Sequence, residues 1–239
     1  QLTGPIPPAI GGMAALTELN LANNQLSGAI PAQLGNLANL QRLALANNAL
    51  TGAIPPALGG LSNLRSLTLT RNQLSGAIPP ELGNLSQLTA LMLNNNRLTG
   101  EIPAALGNLG AVFEIWLNSN ALSGAVPDSL CNPTGLFFLD LGYNSLSRAP
   151  WCMAMLDPFW YETQTMAPAN LTAALAATQA TLSWTPIAYQ GKTGYYEISY
   201  RPVGGTFTVH GVTANKSVSS YLVTGLAPGV KYEFRVRTF

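Results

Sequence analysis

The chain offers one histidine, two cysteines and ten carboxylates to any chemistry that needs a base, a nucleophile or a metal ligand. Catalysis requires such groups within mutual reach. His210 stands alone in Phe207-Thr208-Val209-His210-Gly211, where it reads as an exposed strand residue. No His-Glu-x-x-His, Gly-x-Ser-x-Gly or phosphate loop occurs, and Gly59-Gly60 and Gly204-Gly205 read as turn glycines. Glu114 and Asp140 are the one carboxylate pair that adjacent strands could bring together, and two such groups are what a glycosidase needs. An open repeat surface encloses no substrate, so neither catalysis nor a cofactor or metal site is expected. Cys131 and Cys152 have no neighbouring Lys or His to favour a thiolate, which leaves a structural bridge as the better reading of the pair.

The elements that position these groups are announced by composition. Of 239 residues, 47% are hydrophobic, enough for a real core, while only 9% are charged against about 25% in an ordinary soluble domain. With 23 Gly and 17 Pro, the architecture is dense in turns. A net charge of +1 without a basic cluster removes the electrostatic term that dominates nucleic-acid binding, so nucleic acid is not an expected partner. No apolar run reaches the roughly 18 residues of a membrane span, and the first residues carry neither a basic n-region nor an apolar h-region. The segment is expected neither to insert in a membrane nor to bear a signal peptide.

Self-similarity then settles the first half of the chain. Leu16, Leu40, Leu64, Leu88, Val112 and Leu136 recur at intervals of 24 residues. After Leu16 come Leu19, Leu21, Asn24, Leu26, Gly28, Ile30 and Pro31; after Leu40 come Leu43, Leu45, Asn48, Leu50, Gly52, Ile54 and Pro55. One such coil cannot bury its apolar side alone, so neighbours must stack around a shared core. Alternation around Leu19 and Leu21 predicts a short strand per coil, and stacked coils predict a parallel sheet. Asn24, Asn48, Asn72, Asn96, Asn120 and Asn144 fall in the turn after each strand, where an amide can satisfy backbone groups left unpaired.

These residues resemble the plant-specific class of leucine-rich repeats, whose consensus L-x-x-L-x-L-x-x-N-x-L-S/T-G-x-I-P they match over about residues 1 to 150. The resemblance implies a second short strand at Gly-x-Ile-Pro and binding of extracellular peptides, proteins or other ligands. The Ala-rich regularity is similar to repeats of bacterial surface proteins. Leu2-Thr3-Gly4-Pro5-Ile6-Pro7 aligns with Leu26-Ser27-Gly28-Ala29-Ile30-Pro31 one period on, so the chain is expected to open mid-repeat, as a piece of a longer protein. Arg148 and Trp151 stand where glycine and proline are due, which closes the repeat. Cys131 occupies the column of Gly35, Gly59, Gly83 and Gly107, and Cys152 follows nearly one coil later. Stacking brings the two within reach as a disulfide cap staple in an oxidising compartment.

Beyond Ala167-Pro168 the period changes to two. Ala180-Thr181-Leu182-Ser183-Trp184, Tyr195 to Tyr200 and Lys231 to Val236 alternate between Gly and Pro turns, the pattern of an antiparallel sandwich. The segment resembles a fibronectin type III domain, with Trp184 as core tryptophan and Leu226-Ala227-Pro228-Gly229-Val230-Lys231-Tyr232 carrying the tyrosine corner. The expected fold is therefore mainly β: a leucine-rich-repeat solenoid with its cap over 1–156, a linker over 157–166 and a fibronectin type III-like domain over 167–239. Its last strand is expected to be missing, leaving the Tyr232 strand as an open edge.

Function should reside where the solenoid leaves side chains free, in the outward columns of its strands. Met92, Glu114, Trp116, Asn118, Phe138, Asp140 and Tyr143 make an aromatic and acidic patch near the C-terminal end, and exposed aromatics are favoured interface anchors. The same patch could instead only cover the cap or dock the sandwich domain, since Phe113, Phe137, Trp151, Phe159 and Trp160 gather nearby. Ser66, Thr68 and Thr70 alternate along one strand but are not repeated in adjacent coils, which argues against an ice-binding lattice. Asn84, Asn170 and Asn215 open glycosylation sequons. The expectation is a non-catalytic extracellular module for protein or carbohydrate ligands. A structural subunit of a surface layer or filament, self-associating through the solenoid ends and the sandwich edge, is the alternative.

Overall fold

The computed structural model describes residues 1–148, 150–156, 168–187 and 194–238. Each 24-residue period closes one coil made of an inner strand, a turn, an outer strand and a 3-10 turn. The inner strands are Glu18–Asn20, Arg42–Ala44, Ser66–Thr68, Ala90–Met92, Glu114–Trp116 and Phe138–Asp140, joined in order as a parallel sheet. The outer strands run from Thr3–Pro5 to Ser145–Arg148 in a second parallel sheet, the one implied by Gly-x-Ile-Pro. Leucines such as Leu43, Leu45, Leu67, Leu69, Leu91 and Leu93 are wholly buried between the sheets. The 3-10 turns follow Pro7, Pro31, Pro55, Pro79, Pro103 and Pro127, whose rings hold φ near its fixed value, for instance −65° at Pro31.

The two sheets differ in register. Inner strands pair residues one full period apart, as Glu18 with Arg42 and Leu43 with Leu67. Equivalent side chains therefore stand directly beside one another in straight columns. Outer strands pair two residues short of a period, as Ser27 with Ala49, so their columns cross the sheet obliquely.

The asparagine ladder joins successive coils. Asn72 Nδ2 donates to the carbonyls of Leu69 in its own coil, at 3.1 Å, and of Leu45 in the preceding coil, at 3.0 Å. Its Oδ1 accepts the Leu50 N–H at 3.1 Å. Asn48, Asn96, Asn120 and Asn144 repeat this pattern. The residue before each amide is left-handed, with φ of 56° at Asn47 and 54° at Arg71. Glycines set the spacing on the opposite side: a Cβ on Gly83 would lie 2.2 Å from the Ala105 carbonyl oxygen of the next coil. Cys131 ends that column, where Trp151 to Leu156 no longer repeat the coil. Its Cβ is accommodated and its sulfur is bonded to Cys152, with Cα atoms 5.7 Å apart. Arg148, in place of the expected glycine, pairs with Ala125 through an irregular register and binds Asp128 at 3.1 Å.

Contacts separate the chain into two compact units, Gln1–Trp160 and Tyr161–Phe239. The expected linker 157–166, with Phe159 and Trp160, lies outside the described residues. In the second unit Ala169–Leu175, Gln179–Thr185 and Ser220–Thr224 form one antiparallel sheet, and Thr208–Val212, Tyr196–Pro202 and Tyr232–Thr238 the other. Alternation along Gln179–Thr185 buries Ala180, Leu182 and Trp184, and Trp184 meets Tyr196 edge-on at 5.3 Å. The Tyr196 hydroxyl accepts the Ile187 N–H and donates to the Lys216 carbonyl, both at 2.9 Å, and burial raises its pKa. Tyr232 accepts the Ala227 N–H at 3.0 Å, the tyrosine corner expected of this fold. Among the described residues the Tyr232–Thr238 strand pairs only with Tyr196–Pro202. His210 is not the exposed residue that the sequence suggests. It is half-buried between the sheets, its Nε2 accepting the Thr224 N–H at 3.2 Å and its Nδ1 lying 3.3 Å from the Tyr221 hydroxyl.

Two outcomes follow from the stacking. Gly83→Ala forces neighbouring coils apart and is expected to cost about 1–3 kcal/mol, whereas Gly110→Ala, with nothing within 4 Å of the new methyl, leaves the denaturation midpoint in place. Intact mass should show no free thiol before reduction, and Cys152→Ser should lower stability by about 3 kcal/mol, the loop-closure value for a ring of this size.

Candidate functional site

The inner sheet presents the residues singled out from the sequence. Trp116 stands between Met92 and Asp140, and Glu114 between Ala90 and Phe138, in the straight register of that sheet. The Trp116 and Phe138 rings stack with centroids 4.4 Å apart and planes at 29°. The indole Nε1–H donates to Glu114 Oε2 at 2.9 Å, which fixes the ring against the sheet. Asp140 Oδ1 accepts the Gly142 N–H at 3.0 Å. Glu114 and Asp140 are thus each engaged, and they are out of register: Asp140 faces Trp116 and Glu114 faces Phe138.

Asn118 and Tyr143 lie beyond the strand ends, at one rim. Tyr143 holds the left-handed turn position, with φ of 53° and 60% of its surface exposed. Asn118 Oδ1 is shielded from solvent and has no hydrogen-bond partner among the described residues. At the opposite rim Phe113 and Phe137 stack almost parallel, with centroids 5.5 Å apart, and are 53% and 73% exposed. Trp151 is more exposed still. Exposed aromatic surface is therefore concentrated around the last two coils.

In the Ser66, Thr68 and Thr70 row two hydroxyls are engaged internally, Thr70 Oγ1 donating to Asn94 Oδ1 at 2.7 Å and Thr68 Oγ1 directed at Met92 Sδ. A different hydroxyl column escaped the sequence reading because it belongs to the repeat consensus itself: Thr3, Ser27, Thr51, Ser75, Thr99 and Ser123, exposed or half-exposed on successive outer strands. Its signal is a Ser or Thr before every positive-φ glycine of the repeat.

A cavity of about 540 Å³ lies in the sandwich, lined mainly by apolar side chains such as Leu175, Val203, Leu226, Val230 and Phe234, with Lys231 and Tyr232 as its polar members. Among the described residues no cluster of three His, Cys, Asp or Glu side chains could hold a metal ion, and no helix is long and apolar enough to cross a membrane.

Stacked coils with an open inner sheet in one unit, and a β-sandwich in the other, define a repeat protein with a second, sandwich domain. The leucine-rich repeat model matches residues 9–74 and 84–146, and the fibronectin type III domain model matches residues 166–239. The chain belongs to the leucine-rich repeat family and carries a fibronectin type III domain. Among solved structures it is similar to the plant peptide hormone receptor RGFR1 in complex with RGF2, at 44% identity and a TM-score of 0.60, over 60% of this chain and 23% of that one. The Arabidopsis receptor kinase HAESA ectodomain, in complex with an extended IDA peptide hormone, is 42% identical with a TM-score of 0.57, over 60% and 24%. A plant ice-binding protein is 38% identical with a TM-score of 0.58, over 61% and 47%. The chain thus spans less than half the length of each of these relatives. A search of curated protein sequences finds no match.

Proposed function

We propose that the chain is an extracellular binding module whose concave sheet holds a protein or peptide ligand over its last coils. The observation that carries this reading is the part-exposed Trp116–Phe138 stack, locked by Glu114. A rigid aromatic anchor loses little entropy on binding and is the residue type on which interface energy concentrates. Similarity to receptors solved with RGF2 and with the IDA hormone supports a peptide as the ligand class, and leucine-rich repeat and fibronectin type III domains are typically non-catalytic. The Cys131–Cys152 bridge suits an oxidising compartment. Of the three sequons, Asn84 sits on an exposed turn, while the Asn170 amide is engaged with Thr185 and Asn215 accepts from Ser217.

A second reading is favoured by one observation, the hydroxyl column on the outer strands, together with the likeness to a plant ice-binding protein. The regular outer face, and not the concave one, would then contact ice.

Peptides selected from a random display library on the immobilised chain should lose about 30-fold in affinity with Trp116→Ala, the roughly 2 kcal/mol of an interface hot spot. A variant that melts lower yet binds equally well would assign Trp116 to structure alone. Thermal hysteresis in a nanolitre osmometer tests the second reading: its absence is expected if the concave sheet is the working face.

A further inference from the structure

We infer that the concave face is charge-polarised and orients an extended peptide, with an acidic side chain or carboxylate over coils two and three and a cationic side chain over coils five and six. The inference rests on the peptide-binding reading above and adds to it the ligand's chemistry and its direction across the coils.

The cationic pole is built by Arg42 and Arg65. They border a cavity of about 450 Å³ whose other walls are Glu18, Thr17, Gln41, Ser66 and Thr89; the four neutral side chains can hydrogen-bond to an anion, and the two arginines outnumber the one carboxylate. Arg42 is shared with Glu18 at 3.5 Å, between two well-exposed side chains, a contact worth little in water. Among the described residues Arg65 makes no ion pair, and Thr89 Oγ1 is fixed beside it on the Arg65 carbonyl at 2.9 Å. The guanidinium is thus available for a bidentate carboxylate contact.

The anionic pole lies at the far end of the same sheet. Among the described residues one oxygen of Glu114 takes the Trp116 indole and one oxygen of Asp140 takes the Gly142 N–H. The second oxygen of each accepts no hydrogen bond from the described residues. Between them the Trp116 face offers a cation–π surface, so an Arg or Lys side chain would meet aromatic and carboxylate groups together. The inner strand of coil four, Ala90–Met92, carries no charge between the poles.

Geometry sets the spacing. Adjacent strands stand about 4.8 Å apart, so the two or three steps from coil three to coils five and six span roughly 10–14 Å, the length of three or four extended residues. That distance exceeds the Debye length of about 8 Å at physiological salt. The poles therefore act independently, and a ligand must satisfy each in turn.

The probe is a phage-displayed library of random dodecapeptides, selected on the full chain at low salt, with enriched peptides resynthesised for titration. Enriched sequences are expected to place Asp, Glu or the C-terminal carboxylate three to four residues from Arg or Lys. Arg65→Glu should weaken them about 10-fold or more, and replacing the peptide's acid by Lys should restore binding to that variant. Asp140→Asn should weaken the same peptides through their cationic residue. Both substitutions are on the surface, and unchanged melting of the variants keeps the comparison valid. Peptides that depend on Trp116 but ignore Arg65→Glu and Asp140→Asn overturn the polarity and leave the peptide-binding reading standing. Peptides that ignore Trp116 as well, or a selection that enriches nothing, overturn both.

Discussion

Everything in the solenoid depends on a side-chain amide that belongs to two coils at once. In water a typical hydrogen bond contributes only about 1 kcal/mol net, but a buried backbone group left without a partner costs about 1–3 kcal/mol. A tight turn between two short strands strands several such groups in the interior. Asn72 meets them from both directions, taking carbonyls of its own coil and of the one before while its Oδ1 receives the earlier Leu50 N–H. No apolar residue could do this, and a carboxylate has no donor for the carbonyls. The amide thus fixes both the turn and the distance to the neighbour. The leucines contribute burial, which is non-directional, and would tolerate a slip that the ladder does not.

That constraint explains which parts of the structure could be read from the residues. The 24-residue period, the inner strands and the Cys131–Cys152 staple all follow from matching columns, because a repeat makes each position's environment the same in every coil. The tyrosine corner at Tyr232 and the core Trp184 were equally legible from local pattern. What was not legible depends on contacts between different columns. The asparagines were expected to satisfy their own turn, and that they also bridge to the preceding coil appears only once coils are stacked. Gly59 reads as a turn glycine until the Glu81 carbonyl stands 2.3 Å from where its Cβ would be. His210 reads as exposed because nothing in its neighbourhood announces Tyr221 and Thr224 from another strand.

The same limit applies to the candidate site. Membership of the patch could be read, since Met92, Trp116 and Asp140 share a column of the repeat. The chemistry within it could not. Glu114 and Asp140 resemble a carboxylate pair in a list of residues, but the register sets them against Phe138 and Trp116 instead. One is engaged in holding an indole ring and the other in capping a turn. Among the described residues each is engaged through one oxygen, and the Trp116–Phe138 stack that Glu114 steadies lies between them.

The difference in register between the two sheets then separates their uses. On the inner sheet, residues one period apart stand side by side, so a change at one position of the repeat is placed directly beside its counterparts. Substitutions there add up to a local surface, as Trp116, Phe138, Glu114 and Asp140 do at one end and Arg42 and Arg65 at the other. On the outer sheet the offset of two residues spreads equivalent positions obliquely, and the consensus keeps Gly and Ser or Thr in nearly every coil. Such a face is uniform and suits an extended, periodic contact. The inner face can be individual coil by coil, which is what discrimination among soluble ligands demands, because specificity is a difference in affinity built from particular contacts. The straight columns imposed by the amide ladder are therefore what allow a structurally repetitive chain to carry a non-repetitive site.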